Sequence, residues 1–192
     1  TKTDYDSLWV ILNHPDRIIW QDFEEYDKIN ETDHVVARII QIKYEGFNEQ
    51  GRDIHKIPNS IGDLDSLKFI YLSNNSIAGL PPEFGNLKRL EALYLDNNLI
   101  DYLPENIGGS QYPEALKRLK ELIINDNKLN AVFRKLSNLT SLEKLDLSRN
   151  SLEYLPPSLC NLIDNGTTIA IYGNQFCPEG EEYDSCFDGI VL

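Results

Sequence analysis

Residues 90–100 of this chain are LEALYLDNNLI, and they match the spacing Leu-x-x-Leu-x-Leu-x-x-Asn-x-Leu. Three further stretches have the same spacing, with Ile at some Leu positions: LKFIYLSNNSI at 67–77, LKELIINDNKL at 119–129 and LEKLDLSRNSL at 142–152. A divergent copy comes first, with Ile40, Ile42, Ile54 and Ile57, and a degenerate copy comes last, with Ile169, Ile171, Asn174 and Phe176. Successive copies from the second onward begin at residues 67, 90, 119, 142 and about 166, which indicates a repeat protein of about six copies.

The Leu-x-Leu alternation predicts a short strand in each copy, with alternate side chains buried. Because no single copy can enclose a core, we expect the copies to stack their strands into one parallel sheet over a continuous apolar core. The Asn follows the strand at the same place in five copies, where the chain turns out of the sheet. We expect its amide to satisfy backbone groups that stacking removes from water, so these positions build the fold and are not candidate binding residues.

The second half of several copies has a motif of its own, namely IPNSIGDL at 57–64, LPPEFGNL at 80–87, LPENIG at 103–108 and LPPSLCNL at 155–162. Together with the first half, it resembles the leucine-rich-repeat family in its plant-type and bacterial extracellular forms, over roughly residues 36–176. Copy four departs from the motif, with Val132-Phe133 where Leu-Pro is expected. The resemblance implies an α/β fold: a right-handed solenoid, or horseshoe, with a parallel concave sheet and a largely irregular or short-helical convex side.

Residues 1–35 are expected to form an N-terminal cap, because a solenoid needs its end faces covered. A helix is predicted over 4–13 with Leu8 and Trp9 on its apolar side, followed by a second apolar cluster at 18–20. This arrangement resembles the cap of plant-type and bacterial repeat proteins, although it lacks the cysteine pair usual in plants. The tryptophans are interpreted as part of the cap core, and the whole chain as one structural domain.

Residues 177–192 are expected to form the C-terminal cap. The segment from Cys177 to Cys186 is similar to the cysteine-paired loop that ends many extracellular repeat domains, and this resemblance implies a Cys177–Cys186 disulfide. The chain has three cysteines, so Cys160 would remain as a small apolar residue of the last return segment. A disulfide favours an oxidising compartment, as do Asn-x-Ser/Thr acceptors at four positions: Asn30, Asn74, Asn138 and Asn165.

Several function classes are disfavoured. A formal net charge of −13 argues against binding nucleic acid or an anionic membrane surface, and no run of 18 apolar residues predicts a membrane span. We find no nucleophile elbow, phosphate loop or zinc-protease motif, and the three histidines are scattered. We therefore expect no catalytic residues, no metal and no cofactor, and a protein that is not an enzyme.

The candidate binding surface is the side of the strands that faces away from the leucines. Its charges cancel, with six Lys or Arg against six Asp or Glu, so the whole face is not biased toward a strongly cationic partner. An apolar strip of Ile39, Phe69, Tyr71, Tyr94 and Ile123 crosses it, and the predicted ligand-binding residues are Phe69, Tyr71, Tyr94, Asp96, Ile123, Asn125 and Tyr172. The preference of aromatic residues for strands is an alternative explanation of this strip. The insertions near 47–52 and 109–114 are a second candidate binding surface, because long loops on a rigid scaffold often carry function.

These observations favour a monomeric recognition module that binds a protein or peptide on its concave face, with a glycan as the alternative ligand. It would be secreted, on the cell surface or periplasmic, with no nucleic-acid partner and no membrane insertion of this segment. The alternative is a structural or regulatory segment of a larger receptor or multidomain protein; an enzyme is the third and least favoured reading. Fold alone does not choose among them.

Overall fold

The computed structural model describes residues 18–21, 38–44, 54–108 and 116–176. Seven strands of this part form one sheet in chain order: β1 Ile18–Gln21, β2 Arg38–Lys43, β3 Phe69–Tyr71, β4 Ala92–Tyr94, β5 Glu121–Ile123, β6 Lys144–Asp146 and β7 Thr168–Ala170. Strands β2 to β7 are parallel to their neighbours, whereas β1 is antiparallel to β2. The predicted parallel sheet is therefore confirmed, and the apolar cluster at 18–20 lies in an additional edge strand.

One apolar column runs through the parallel strands. Ile70 pairs in register with Leu93, which is followed on successive strands by Leu122, Leu145 and Ile169. The first four of these side chains are fully buried, and all five belong to a single core cluster that spans the copies. The predicted solenoid core is thus confirmed: each copy contributes one layer, and only stacking removes the layer from water.

Five asparagines connect the copies, as expected from their common position. In each of them, Oδ1 accepts a hydrogen bond of 2.9–3.0 Å from a backbone amide of the preceding copy. Nδ2 of the same side chain donates to backbone carbonyls. The five asparagines are Asn75, Asn98, Asn127, Asn150 and Asn174. The residue before each has a left-handed φ between 49° and 71°. Asn, Asp or Gly occupies four of these turn positions, as this conformation favours, and Arg149 occupies the fifth.

The return side consists of short helical turns, as predicted. The 3₁₀ turns are Asn59–Asp63, Pro82–Asn86, Glu105–Gly108, Arg134–Asn138 and Pro157–Leu159, and one short helix, α1, spans Cys160–Asp164. The first two turns approach closely, because a Cβ at Gly62 would lie 2.7 Å from the carbonyl oxygen of Glu83. Glycine at this place in the motif thus permits the close stacking of one return segment on the next.

The first copy differs from the predicted alignment. The sequence pattern predicts Ile40 and Ile42 as the buried strand positions of this copy and Tyr44 as an outward residue after them. Instead, the register of β2 on β3 pairs Ile42 with Ile70 and Lys43 with Tyr71. Tyr44 therefore occupies the position of Leu72, where it is only 5% exposed and belongs to the core cluster. Strand alternation permits this result, since a shift of the apolar pattern by two residues leaves the buried face unchanged.

The cysteine prediction also requires correction. Cys160 is disulfide-bonded, whereas we expected a free thiol there. Cys177 and Cys186 lie outside the described residues, and so does the pairing predicted for them. Cys160 begins α1 in the last copy and packs against the core. The helix predicted over 4–13 and the remainder of both caps lie outside the described residues.

Candidate ligand-binding face

The open face is the side of strands β3 to β7 that points away from the leucine core. Strand alternation places two residues of each strand on this face, and the residues just after each strand extend it. Neighbouring positions on it follow the strand register, so that Phe69, Ala92 and Glu121 form one row and Tyr71, Tyr94 and Ile123 form the next. The predicted strip is therefore continuous from β3 to β5.

Two tyrosines form the centre of this strip. The ring centroids of Tyr71 and Tyr94 are 5.0 Å apart and their planes are inclined by 36°. Both side chains are half-buried, as is Phe69 beside them. A tilted aromatic pair on a rigid sheet offers apolar area that loses little conformational entropy when a ligand covers it.

The hydroxyl of Tyr94 is held by a carboxylate. It donates a hydrogen bond to Oε2 of Glu121 on the next strand. This bond, followed by burial and by the charge of Glu121, raises the pKa of Tyr94 to about 12. Tyr94 is therefore a neutral donor at physiological pH, and its ring is oriented before any ligand arrives.

Ile123 departs from its predicted role. We expected it to be an exposed contact residue, but it is only 7% exposed, although it is outside the leucine core cluster. It lies in register between Tyr94 and Asp146, whose strands flank it on both sides. Ile123 thus forms the floor of the open face, and a ligand would contact the side chains around it.

Ion pairs lie along both borders of the open face. At the border where the strands begin, Lys68 pairs with Glu91 at 3.8 Å and Lys120 with Glu143 at 3.0 Å. The contact with Glu143 raises the pKa of Lys120. These side chains are substantially exposed, so each pair contributes little stability, but each neutralises a charge at the border.

A third ion pair lies at the opposite border. Two of the three guanidinium nitrogens of Arg149, Nε and Nη2, donate to the carboxylate of Asp126, at 2.6 and 2.7 Å. The hydrogen bond from Arg149 lowers the pKa of Asp126. The guanidinium carbon of Arg149 also lies 5.5 Å from the ring centroid of Tyr172. Asp126 accepts a further hydrogen bond of 2.6 Å from Nδ2 of Asn125.

The structure thus divides the seven predicted site residues into two groups. Five lie together on β3 to β5 or directly after β4, namely Phe69, Tyr71, Tyr94, Asp96 and Ile123. The other two, Asn125 and Tyr172, join the Asp126–Arg149 pair at the border. The predicted set omitted Glu121 and Arg149, which link its members; pairing residues laterally between copies would have found both.

The remaining candidate features either lie outside the described residues or are not found among them. Both insertions, near 47–52 and 109–114, fall outside it. Among the described residues, no three His, Cys, Asp or Glu side chains are grouped as a metal site, and none of the described helices has the length and apolar character needed to cross a bilayer. The open face therefore remains the main candidate site.

Comparison with known proteins supports the repeat architecture. A family model described as a leucine-rich repeat region matches residues 22–181. The leucine-rich-repeat ectodomain of the receptor kinase SOBIR1 from Arabidopsis thaliana is similar, with 25% identity and a TM-score of 0.70, over 92% of this chain and 95% of that chain.

Two further structures share the fold at lower identity. A plant ice-binding protein is similar with 22% identity and a TM-score of 0.66, over 92% of this chain and 57% of that chain. A chain of the Drosophila Toll–Spatzle complex has 21% identity and a TM-score of 0.61, over 80% of this chain and 19% of its own length. No curated protein matches the sequence.

Proposed function

Since the chain belongs to the leucine-rich-repeat family, we propose that it is a non-catalytic recognition module whose open face binds a protein or peptide ligand. The observation that carries the proposal is the Tyr71–Tyr94 pair, which lies at the centre of the open face between two borders of ion-paired side chains. A half-exposed aromatic centre within a polar rim is the usual composition of a protein-binding hot spot. A glycan is the alternative ligand, because tyrosine rings also stack on sugars.

The relatives support the same conclusion. The Arabidopsis structure is a receptor ectodomain and is matched over almost the whole length of both chains. The Drosophila structure is a complex, so a scaffold of this fold is found there with a partner. By extension, we place this chain in a secreted, cell-surface or periplasmic location, in agreement with the disulfide at Cys160. We further propose that it is a monomer, which light scattering after size exclusion would test.

The experiment compares two double variants. Tyr71→Ala with Tyr94→Ala removes the centre of the open face, whereas Tyr102→Ala with Tyr154→Ala removes two tyrosines that are 58% and 53% exposed on the return side of the copies. Each protein serves as bait in the extracellular fluid of the source, and the partner recovered by the wild type is then titrated against all three. Circular dichroism and the Tm establish that each variant is folded.

We expect the open-face variant to bind the partner at least about 30-fold more weakly, since a hot-spot tyrosine contributes about 2 kcal/mol or more. The control should bind like the wild type. Equal binding by all three proteins would exclude the tyrosine pair as the binding centre, and loss of binding only in the control would move the site to the return side.

A second candidate function is a recognition segment of a larger receptor, which the match to the ectodomain of a receptor kinase favours. The full open reading frame discriminates between the two. A membrane span and a signalling domain in the same frame would support the receptor, and their absence would support a separate recognition protein.

A further inference from the structure

The carboxylates of the open face fall into two groups that differ in their partners. The border carboxylates are neutralised by cations: Glu91 by Lys68, Glu143 by Lys120 and Asp126 by Arg149. The central ones are held by neutral hydroxyls: Asp96 by Ser73 at 2.6 Å, Glu121 by Tyr94, and Asp146 by Ser148 at 2.5 Å. The charge balance of the whole face therefore conceals a separation into neutral borders and a negative centre.

A hydroxyl stabilises a carboxylate without cancelling its charge. Three cations lie near these carboxylates. Lys144 on β6 is in register with Glu121, and no salt bridge joins the two among the described residues. Lys120 is within electrostatic range of Glu121, and Arg149 of Asp146, but each is ion-paired with a border carboxylate, Glu143 or Asp126. Lys43 is further away, on the far side of Tyr71. The half-buried carboxylates attract a cation more strongly than fully solvated ones would.

The three carboxylates surround an apolar floor. Tyr94 and Ile123 are lateral neighbours, and Asp146 follows Ile123 on the next strand. Asp96 is two residues after Tyr94, on the same side of the chain, and Glu121 accepts the tyrosine hydroxyl from the remaining side. An aromatic ring with carboxylates around it matches a guanidinium or ammonium group, which can stack on the ring while donating to the carboxylates.

We propose that the centre of the open face binds an arginine or lysine side chain of a protein ligand, seated over Tyr94 and flanked by Asp96, Glu121 and Asp146. The ligand segment is basic and carries apolar residues beside the cation, which cover Tyr71 and Phe69. The chain's net charge of −13 adds long-range attraction for such a segment. This inference rests on the proposed function and specifies the chemistry of its ligand.

The test uses two synthetic peptides of the same shape as probes: acetyl-leucyl-arginyl-leucine amide and its citrulline counterpart, in which the guanidinium is replaced by a neutral urea. Each is titrated into the ¹⁵N-labelled full chain and followed by backbone amide chemical shifts. We expect saturable shifts in residues 69–73, 92–97 and 121–124, with the arginine peptide about three- to ten-fold tighter. Added salt should reduce that preference, because it screens the charges.

Matched variants assign the preference to the central carboxylates. Asp96→Asn with Glu121→Gln keeps hydrogen-bonding groups and should abolish the discrimination between the two peptides. Glu143→Gln changes a border carboxylate already paired with Lys120 and should leave the discrimination intact.

The outcomes separate this inference from the proposed function. Equal affinity for both peptides at the open face would overturn the cationic ligand while leaving the face as a binding site. Shifts elsewhere, or none that saturate, would overturn the inference, and the tyrosine variants with the native partner would still decide the proposed function.

Discussion

The backbone amide of Ile77 donates a hydrogen bond of 3.0 Å to Oδ1 of Asn98, which lies 21 residues further along the chain. Nδ2 of the same Asn98 donates to the carbonyl oxygens of Leu72 and Leu95, at 2.9 and 3.0 Å. One buried side chain therefore satisfies backbone groups in two successive copies. The same arrangement at five positions explains why the asparagine recurs where leucine positions vary more freely.

Replacing this asparagine should destabilise the fold. Asn98→Ala removes the acceptor of the buried Ile77 amide. The carbonyls of Leu72 and Leu95 each lose one of two asparagine donors and keep the other, Asn75 or Asn127. We expect the free energy of unfolding to fall by about 1–3 kcal/mol, chiefly because of the unpaired amide. Asn130→Ala, at an exposed position of the next copy, is the control and should change it by less than about 0.5 kcal/mol. Urea denaturation measures both. A change at Asn98 no larger than at Asn130 would show that water replaces the lost bonds.

The close approach of the first two return segments makes a second prediction. Gly62→Ala forces a methyl group to within 2.7 Å of the Glu83 carbonyl oxygen, so the segments must separate. We expect a loss of about 1–3 kcal/mol in unfolding free energy. Gly79→Ala is the matched control, because its methyl group would make an ordinary 3.4 Å contact with the Tyr102 ring. Equal stability of the two variants would mean that the return segments shift without cost.

The hydrogen bond from Tyr94 to Glu121 should be detectable in the alkaline titration of the tyrosines. The pKa of Tyr94 is raised from 10.0 to about 12, so the folded protein retains this proton where the unfolded chain loses it. The bond's contribution to stability is therefore present below pH 10 and is lost as the pH rises through about 12. The measurement is the difference in tyrosinate absorbance between the wild type and Tyr94→Phe.

A difference curve with its midpoint near pH 10 would contradict the predicted shift. Glu121→Gln supplies the internal control, because it removes the carboxylate charge and should bring the Tyr94 midpoint back toward 10.0. Ser73→Ala, which affects Asp96 only, should leave the midpoint nearly unchanged.

The disulfide at Cys160 makes a fourth prediction. Thiol titration of the unfolded, unreduced chain should find one free cysteine, and peptide mapping should find Cys160 in the cross-linked pair. Reduction should lower the unfolding free energy by about 3 kcal/mol in the chain-entropy model. Cys160→Ser should reproduce that loss. A labelled Cys160, with Cys177 and Cys186 joined, would contradict the structure and restore the pairing expected from the sequence.

Much of the architecture followed from the sequence because its causes are local and repeated. The Leu-x-Leu alternation predicted the strands, and the period predicted that the strands stack in chain order. Tyr71 and Tyr94 could be placed side by side for the same reason, since equivalent positions in successive copies become lateral neighbours in a parallel sheet. The asparagine hydrogen bonds were likewise predictable from a polar residue at a buried turn.

Three features departed from prediction because each depends on contacts between copies. Ile123 occupies an outward position, yet its neighbours cover it. Tyr44 faces the core because of the register of the first copy, whose sequence fits two alignments of the same face. Cys160 has a partner that no spacing rule identifies, because chain distance does not determine which two of three thiols meet.

The sequence by itself determined the repeat, the buried leucine and asparagine positions, and which residues share the open face, since periodicity in the chain becomes a row on a stacked sheet. Only the tertiary structure decided how the charges on that face are paired. Whether a carboxylate meets an ammonium group or a hydroxyl depends on side-chain geometry across adjacent strands, and a count of charges contains no such information. That geometry joins Asp96, Glu121 and Asp146 around Tyr94 to hydroxyl groups, while the border carboxylates form the ion pairs, and it suggests the chemistry of the ligand we propose.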